Sequence, residues 1–135
     1  MKFLPILIAV TLLAACGARS SDEEQVRSLI AGLETAAEAR DAGDVMAHVA
    51  DDYQDSRGFD RAQLTNFLRG YFLVHPDIEL LVDISSLEFP AEGLAKAEIS
   101  VTRVSLSDPD HERLRVEFRR HDGDWKVSRA DRVRP

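Results

Sequence analysis

The side chains best placed for chemistry in this chain are a few acids, arginines and one tyrosine that share positions with apolar residues. In the segment Trp125-Lys126-Val127-Ser128-Arg129-Ala130-Asp131-Arg132-Val133, Arg129 and Asp131 keep the two-residue parity of Trp125, Val127 and Val133. Arg103 shares the parity of Ile99 and Val101, provided that any bulge in its strand falls after it, and Tyr53 and Asp55 stand two apart just after a short apolar stretch. Taking such charges out of water costs several kcal/mol unless they are paired, and Arg129 with Asp55 or Asp131 supplies a pair. Arginine does not give up its proton, and a carboxylate beside it is held ionised and weakly basic. General acid–base work needs an acid and a base poised at different pKa values on one substrate. The group Tyr53, Asp55, Arg103, Arg129 and Asp131 therefore reads as a polar-ligand site or a clasp on a cavity, with no catalytic residue assigned.

The remaining reactive types are sparse. His48, His75, His111 and His121 lack the helical spacing of a metalloprotease motif, and a single Cys excludes an internal disulfide and a Cys-rich zinc site. No metal and no cofactor is expected. The chain has 135 residues, 44% of them hydrophobic, which is the size and apolar content of one globular domain. Seventeen Lys and Arg against 24 Asp and Glu leave a net charge of −7, which argues against a nucleic-acid binder, because neutralising phosphates needs basic excess.

The chain opens Met-Lys-Phe-Leu-Pro-Ile-Leu-Ile-Ala-Val-Thr-Leu-Leu-Ala-Ala-Cys. One basic residue, an almost wholly apolar run from Phe3 to Ala15 and a small-residue end form the pattern of a secretory signal. That run of 13 residues is short of the roughly 20 needed for a membrane-spanning helix. Leu13-Ala14-Ala15-Cys16 resembles the lipobox of bacterial lipoproteins, in which the Cys is acylated (palmitate among the chains) and becomes the new N-terminus. The resemblance implies removal of residues 1–15, a lipidated Cys16 with a short tether over 16–21, and a folded domain over 22–135. It places the protein in the bacterial envelope facing the periplasm. Gly17, where Asp would signal inner-membrane retention, favours the outer membrane.

The elements that must position the candidate site follow from periodicity. Ser21 and Glu24 have capping-box spacing, and Val26, Leu29, Ile30, Leu33, Ala36 and Ala37 recur at helical intervals through Arg40. Gly43 is expected just past that helix, with Asp44 capping a short second one. Asp60 and Gln63 open a third helix, with Leu64, Phe67, Leu68, Tyr71 and Phe72 inward and Pro76 at its end. The period then becomes two. Ile78, Leu80, Val82 and Ile84 alternate, and Leu87 and Phe89 continue on the other parity, the mark of a bulge. Ala97, Ile99 and Val101 followed by Val104 and Leu106 predict a second bulge in the next strand. Leu114, Val116 and Phe118 alternate with Arg113, Arg115, Glu117 and Arg119, and Asp122-Gly123 is a two-residue hairpin signal before the strand that Trp125 begins. Trp125 is expected in the core. The fold class is α+β: three N-terminal helices in the hollow of a strongly bent antiparallel sheet of about four strands.

That order of elements, with Ala-Gly-Asp between the first two helices, "ADDYQD" after the second and "FRRHDGDWKVSRAD" near the end, resembles the nuclear transport factor 2-like superfamily. Its members include SnoaL-like proteins, ketosteroid isomerase and scytalone dehydratase, and the fold is also called cystatin-like. The resemblance implies a cone with a pocket on its concave side, in which Tyr53, Asp55, Arg103, Arg129 and Asp131 would stand near the mouth. It also implies a homodimer through the convex sheet as a common arrangement. The chain departs from the isomerase where a donor Tyr would lie on helix one, a position that falls near Ala36. His75 and His111, the candidates for a dehydratase-type His–Asp pair, sit beside loop residues and read as surface histidines.

Charge is uneven along the chain. Residues 22–60 hold eleven acids and three bases, whereas residues 111–135 hold five acids and eight bases. Arg113, Arg115 and Arg119 share one strand face that could meet a protein partner or anionic lipid heads, or simply be a solvated face. Three functions stay open: a lipid-anchored binding domain for a protein partner or small polar ligand without catalysis, an isomerase- or dehydratase-type enzyme, and an immunity or inhibitor lipoprotein against a periplasmic toxin.

Overall fold

The computed structural model describes residues 11–134, with side chains from Ser21 onward. Helix α1 spans Thr11–Glu38, α2 Ala42–Met46 and α3 Arg61–Val74. Four strands follow: β1 Leu80–Ala91, β2 Leu94–Arg103, β3 Asp110–His121 and β4 Asp124–Arg132. They form one antiparallel sheet in the order β1-β2-β3-β4. Residues 1–10 of the segment read as a secretory signal, and the side chain of Cys16, lie outside the described residues. No helix among the described residues is long and apolar enough to cross a membrane.

Two helix boundaries differ from those expected. Helix α1 does not begin at Ser21 but runs through it. The Leu and Ala residues of 12–15 are strong helix formers and carry the helix back. The Ser21 hydroxyl accepts instead from the Gln25 side-chain amide at 3.2 Å. At the other end the left-handed residue is Arg40, at φ 54°, rather than Gly43. The Asp41 amide donates back to Ala36 O, and Asp41, not Asp44, caps α2 by accepting from the Asp44 amide at 3.0 Å. Gly43 is thereby absorbed into α2. The third helix follows its sequence signal: Asp60 accepts from the Gln63 amide and the Gln63 side chain from the Asp60 amide, each at 2.9 Å.

The sheet's register decides which side chains face the helices. In β1 the pairing slips between Ile84 and Ser86, so Leu80, Val82 and Ile84, then Leu87 and Phe89, all pack toward the core. The bulge expected in β2 is absent. Its pairing with β3 is continuous from Leu94 to Arg103, and Val104 and Leu106 lie beyond the strand, exposed in the loop to β3. A further bulge is in β4, where Phe118 opposes Val127 but Glu117 opposes Arg129, leaving Ser128 as the extra residue. The β3–β4 turn has Asp122 at φ 50° and Gly123 at φ 85°, the doubly positive backbone that an Asp-Gly hairpin accommodates.

The core lies between α1 and the inner face of the sheet, around Val26, Ile30, Tyr53, Ala95, Phe118 and Val127. Trp125 is 6% exposed, stacks edge-on against Phe89 and donates its ring N–H to Asp22, so it is core as expected. After α2 the chain lies along the free edge of β4. The Val127 amide donates to His48 O at 2.8 Å and the Ala50 amide to Val127 O at 2.9 Å. This edge pairing carries Tyr53 and Asp55 to the end of β4 that holds Ala130 and Asp131.

Candidate functional site

The turn after Tyr53 is organised by one carboxylate. Asp55 has a fully buried side chain and accepts four hydrogen bonds: from the Tyr53 hydroxyl at 2.8 Å, the Arg57 guanidinium at 2.9 Å, the Arg57 amide at 2.9 Å and the Phe59 amide at 3.2 Å. Gly58, at φ 81°, makes the reversal within this turn sterically free. The Arg57 guanidinium lies over the rings of Phe59, 4.3 Å from its centroid, and Phe67, 5.1 Å.

Charge states follow from this geometry. Burial alone would raise the Asp55 pKa, but hydrogen bonds from Arg57, Tyr53 and the Phe59 amide outweigh it and hold the carboxyl below its ordinary value. The Tyr53 phenol is pushed well above its usual value, first by burial and then by the carboxylate it donates to. Desolvation works against the Arg57 charge, yet contact with Asp55 raises its pKa on balance. The cluster is a neutral phenol, a carboxylate and a guanidinium, each locked in its ordinary state.

Beside this turn the inner face of the sheet and the helices enclose a cavity of about 360 Å³, open on one side. Its walls are overwhelmingly apolar, among them Leu33, Leu68, Val82, Ile99, Leu114 and Val116. That volume is in the range of small-molecule sites, about 300–1,000 Å³. Tyr53 and Arg57 contribute to the lining, as do Glu34 of α1, Tyr71 of α3, Asp110 and Glu112 of β3, and Arg132 of β4. Arg132 and Glu112 form an ion pair at 2.8 Å.

The residues singled out in the sequence are thus divided. Tyr53 lines the cavity, and Asp55 stands behind it as Tyr53's acceptor. Arg103 is on the inner face with Ile99 and Val101, because no bulge precedes it in β2, and is 8% exposed. It turns to the β2–β3 loop, donating to Asp108 O at 2.9 Å, and its Nε has no partner among the described residues. Arg129 and Asp131 are a correction. The bulge at Ser128 reverses the parity of β4, so Ala130 and Arg132 face the cavity. Arg129 stands instead opposite Glu117 and Asp131 opposite Arg115 in the ladder, on the sheet's other face. They pair with each other, Arg129 through Nε to Oδ2, and Asp131 also accepts from the Ser56 amide at 2.7 Å. Burial pushes the Asp131 carboxyl up, but the Ser56 amide and Arg129 lower it overall; the hydrogen bond to Asp131 raises Arg129. The pairing of Arg129 with Asp55 does not occur.

Sequence reasoning missed Arg57, Arg132, Glu112, Asp110 and Glu34 as lining residues; it had placed Tyr71 inward on α3. Arg57 had a local signal in Asp55-Ser56-Arg57-Gly58-Phe59, a tight turn that returns a cation to its acid. Arg132 was hidden by the bulge, whereas Glu112 shares the parity of Leu114, Val116 and Phe118 and could have been placed inward from β3 alone. His111 is exposed and within 2.8 Å of the Thr102 hydroxyl, while His75 stacks on Tyr71 at 4.2 Å; neither touches a carboxylate among the described residues. On the outer face Arg113 and Arg115 both reach Glu98, at 3.5 and 3.3 Å, and Arg119 is exposed. Among the described residues no cluster of His, Cys, Asp or Glu is placed to hold a metal ion.

No protein-family model matches the chain, and no curated protein matches it in sequence. Solved structures do. An NTF2-like protein of unknown function from Shewanella oneidensis is similar at TM-score 0.68 and 16% identity, over 82% of this chain and 98% of that one. One from Pseudomonas putida, also of unknown function, has TM-score 0.68 and 21% identity over 86% and 88%. A third, from Novosphingobium aromaticivorans, described as NTF2-like with a cystatin-like fold, has TM-score 0.65 and 21% identity over 94% and 90%. The chain has the NTF2-like, cystatin-like α+β fold, with two long helices and one short one before the sheet. A fold of this breadth hosts many activities and does not choose among them.

Proposed function

We propose that this protein is a lipid-anchored envelope protein whose cone holds a small, largely apolar molecule without transferring protons to or from it. The observation that carries this reading is an open cavity of about 360 Å³ with almost entirely apolar walls. The sequence suggested a polar ligand; the walls favour an apolar body with its polar part at the mouth. The buried acid that could have acted as a base is occupied. All four hydrogen bonds to Asp55 come from its own turn and Tyr53, and the Tyr53 proton is spent on Asp55. A base with its lone pairs taken and its pKa lowered is a poor proton acceptor.

The anchor and the envelope location rest on the likeness of Leu13-Ala14-Ala15-Cys16 to a lipobox. Asp22 accepts from Arg120 at 2.9 Å, which sets the start of the domain beside the β3–β4 hairpin. Asp110 and Arg132 lie at the other ends of those strands, so an anchored domain would open its cavity away from the bilayer. The mixed charges of the outer face, including Arg113, Arg115 and Arg119, suit a solvated surface or a protein contact, a second copy included.

Titration with the neutral dye N-phenyl-1-naphthylamine tests the pocket. Saturable fluorescence enhancement is expected, and Val101→Trp, which fills the cavity from β2, should abolish it while the unfolding transition remains. Enhancement unchanged in Val101→Trp would place the dye elsewhere and defeat the reading. For the anchor, Cys16→Ser should shift the protein from the membrane fraction to the soluble periplasm; continued membrane association would end that part.

A further inference from the structure

The charges on the cavity lining are not equally committed. Arg57 is held by Asp55 at 2.9 Å and Arg132 by Glu112 at 2.8 Å, so both cations that line the cavity are neutralised within the protein. Two lining carboxylates, Glu34 on α1 and Asp110 at the start of β3, have no hydrogen bond or ion pair among the described residues. Arg103, directly opposite Asp110 in the ladder, spends its guanidinium on Asp108, at 2.9 Å to the backbone oxygen and 3.5 Å to the carboxylate. Glu34 is half-buried and Asp110 exposed, which sets them at the wall and rim rather than in the apolar interior.

We infer that the cavity takes an amphiphile with a cationic head, a primary or quaternary amine on an apolar body. This rests on the pocket reading above and adds the sign of the ligand's charge. An anionic head would meet two uncompensated carboxylates and find both lining guanidiniums already paired. A neutral head would leave those carboxylates unused. An ammonium gains from the unpaired lining carboxylates, beside apolar walls that weaken the screening by water. The body contributes through burial, which does not depend on the sign of the head.

The test uses three probes with one body: octylamine, octanol and octanoate, titrated calorimetrically at pH 7 and low salt. The protein is residues 16–135 carrying Cys16→Ser, expressed without the first fifteen residues and purified without detergent. Octylamine should bind about tenfold more tightly than octanoate, with octanol between, in keeping with two part-exposed ion pairs. In Glu34→Gln/Asp110→Asn the three should converge, with octanol unchanged. Equal binding of all three to the unsubstituted site would overturn the cation and leave the pocket standing. Preference for octanoate would overturn it in favour of an anion site on Arg57 and Arg132. A preference for octylamine that survives the double substitution would remove these two carboxylates from the proposal, and failure of all three probes to bind would defeat the pocket reading as well.

Discussion

Two carboxylate–arginine pairs, each two residues apart in sequence, occupy neighbouring parts of this molecule and behave differently. Asp55 and Arg57 sit in a turn that wraps the acid: two backbone amides, a phenol and the guanidinium converge on a side chain with no exposure. Arg129 and Asp131 sit on a strand, where two-residue spacing puts both on one face, and that face is turned to solvent by the bulge at Ser128. The first pair forms part of the structure around a cavity, and the second is a surface contact with one loop hydrogen bond. Spacing and residue type were the same, so backbone conformation makes the difference. A turn with a left-handed Gly58 can aim several N–H groups at one carboxylate, whereas a strand spends its N–H groups on the ladder.

The largest effect should come from shifting the register that separates the two cases. Inserting one Ala between Ser128 and Arg129, with the bulge kept, would set Arg129 opposite Val116 and Asp131 opposite Leu114, on the parity of Val127, and push Ala130 and Arg132 outward. The penalty is several kcal/mol for charges driven against an apolar wall, enough to abolish a cooperative thermal transition. A well-folded insertion variant would show that β4 tolerates either parity.

Next is Asp55→Asn, which keeps the shape but loses the charge and leaves donors poorly matched. It should cost about 2–3 kcal/mol in urea unfolding, less than a fully buried pair because Arg57 is one-third exposed. The pH dependence sharpens the same point. The folded pKa of Asp55 lies below its ordinary 3.8, so its stabilisation is complete above that value and is lost as pH falls through the lowered one. Asp131 acts in the same direction. Unfolding free energy should therefore be flat from neutral pH to about 4 and decline below it, with a shallower decline in Asp55→Asn than in the unaltered protein. Equal slopes would mean that Asp55 is not the coupled group. The smallest effect belongs to Arg129→Ala, whose partner keeps the Ser56 amide; its unfolding midpoint should match that of the unaltered chain within error.

Much of the fold was legible because its signals are local. Asp60 and Gln63 form the capping box that their spacing announced, Asp122-Gly123 makes its hairpin, and the parity slip around Ile84 is a real bulge. Legibility failed where two local solutions compete. Gly43 is the better left-handed residue by propensity, yet Arg40 takes that conformation and reaches Phe72 O at 3.4 Å, a tertiary contact invisible in sequence. The expected bulge in β2 was read from Val104 and Leu106, apolar residues that lie beyond the strand and are exposed. Apolar type alone did not distinguish a strand that slips from one that ends.

The candidate site divides along the same line. The sequence by itself determined the types available: few histidines, one cysteine, acids weighted to the first half and arginines to the last strands, with Tyr53 and Asp55 close to a core. It also determined the fold class, because helical and two-residue periods depend only on which side chains must leave water. Only the tertiary structure decided that Arg57 rather than Arg129 answers Asp55, that Arg132 rather than Arg129 faces the cavity, and that Glu34 and Asp110 meet on one lining from different elements. One extra residue in β4 rotates everything after it by half a turn, and a pattern of alternating polar and apolar side chains fits either rotation until the neighbouring strand fixes the register.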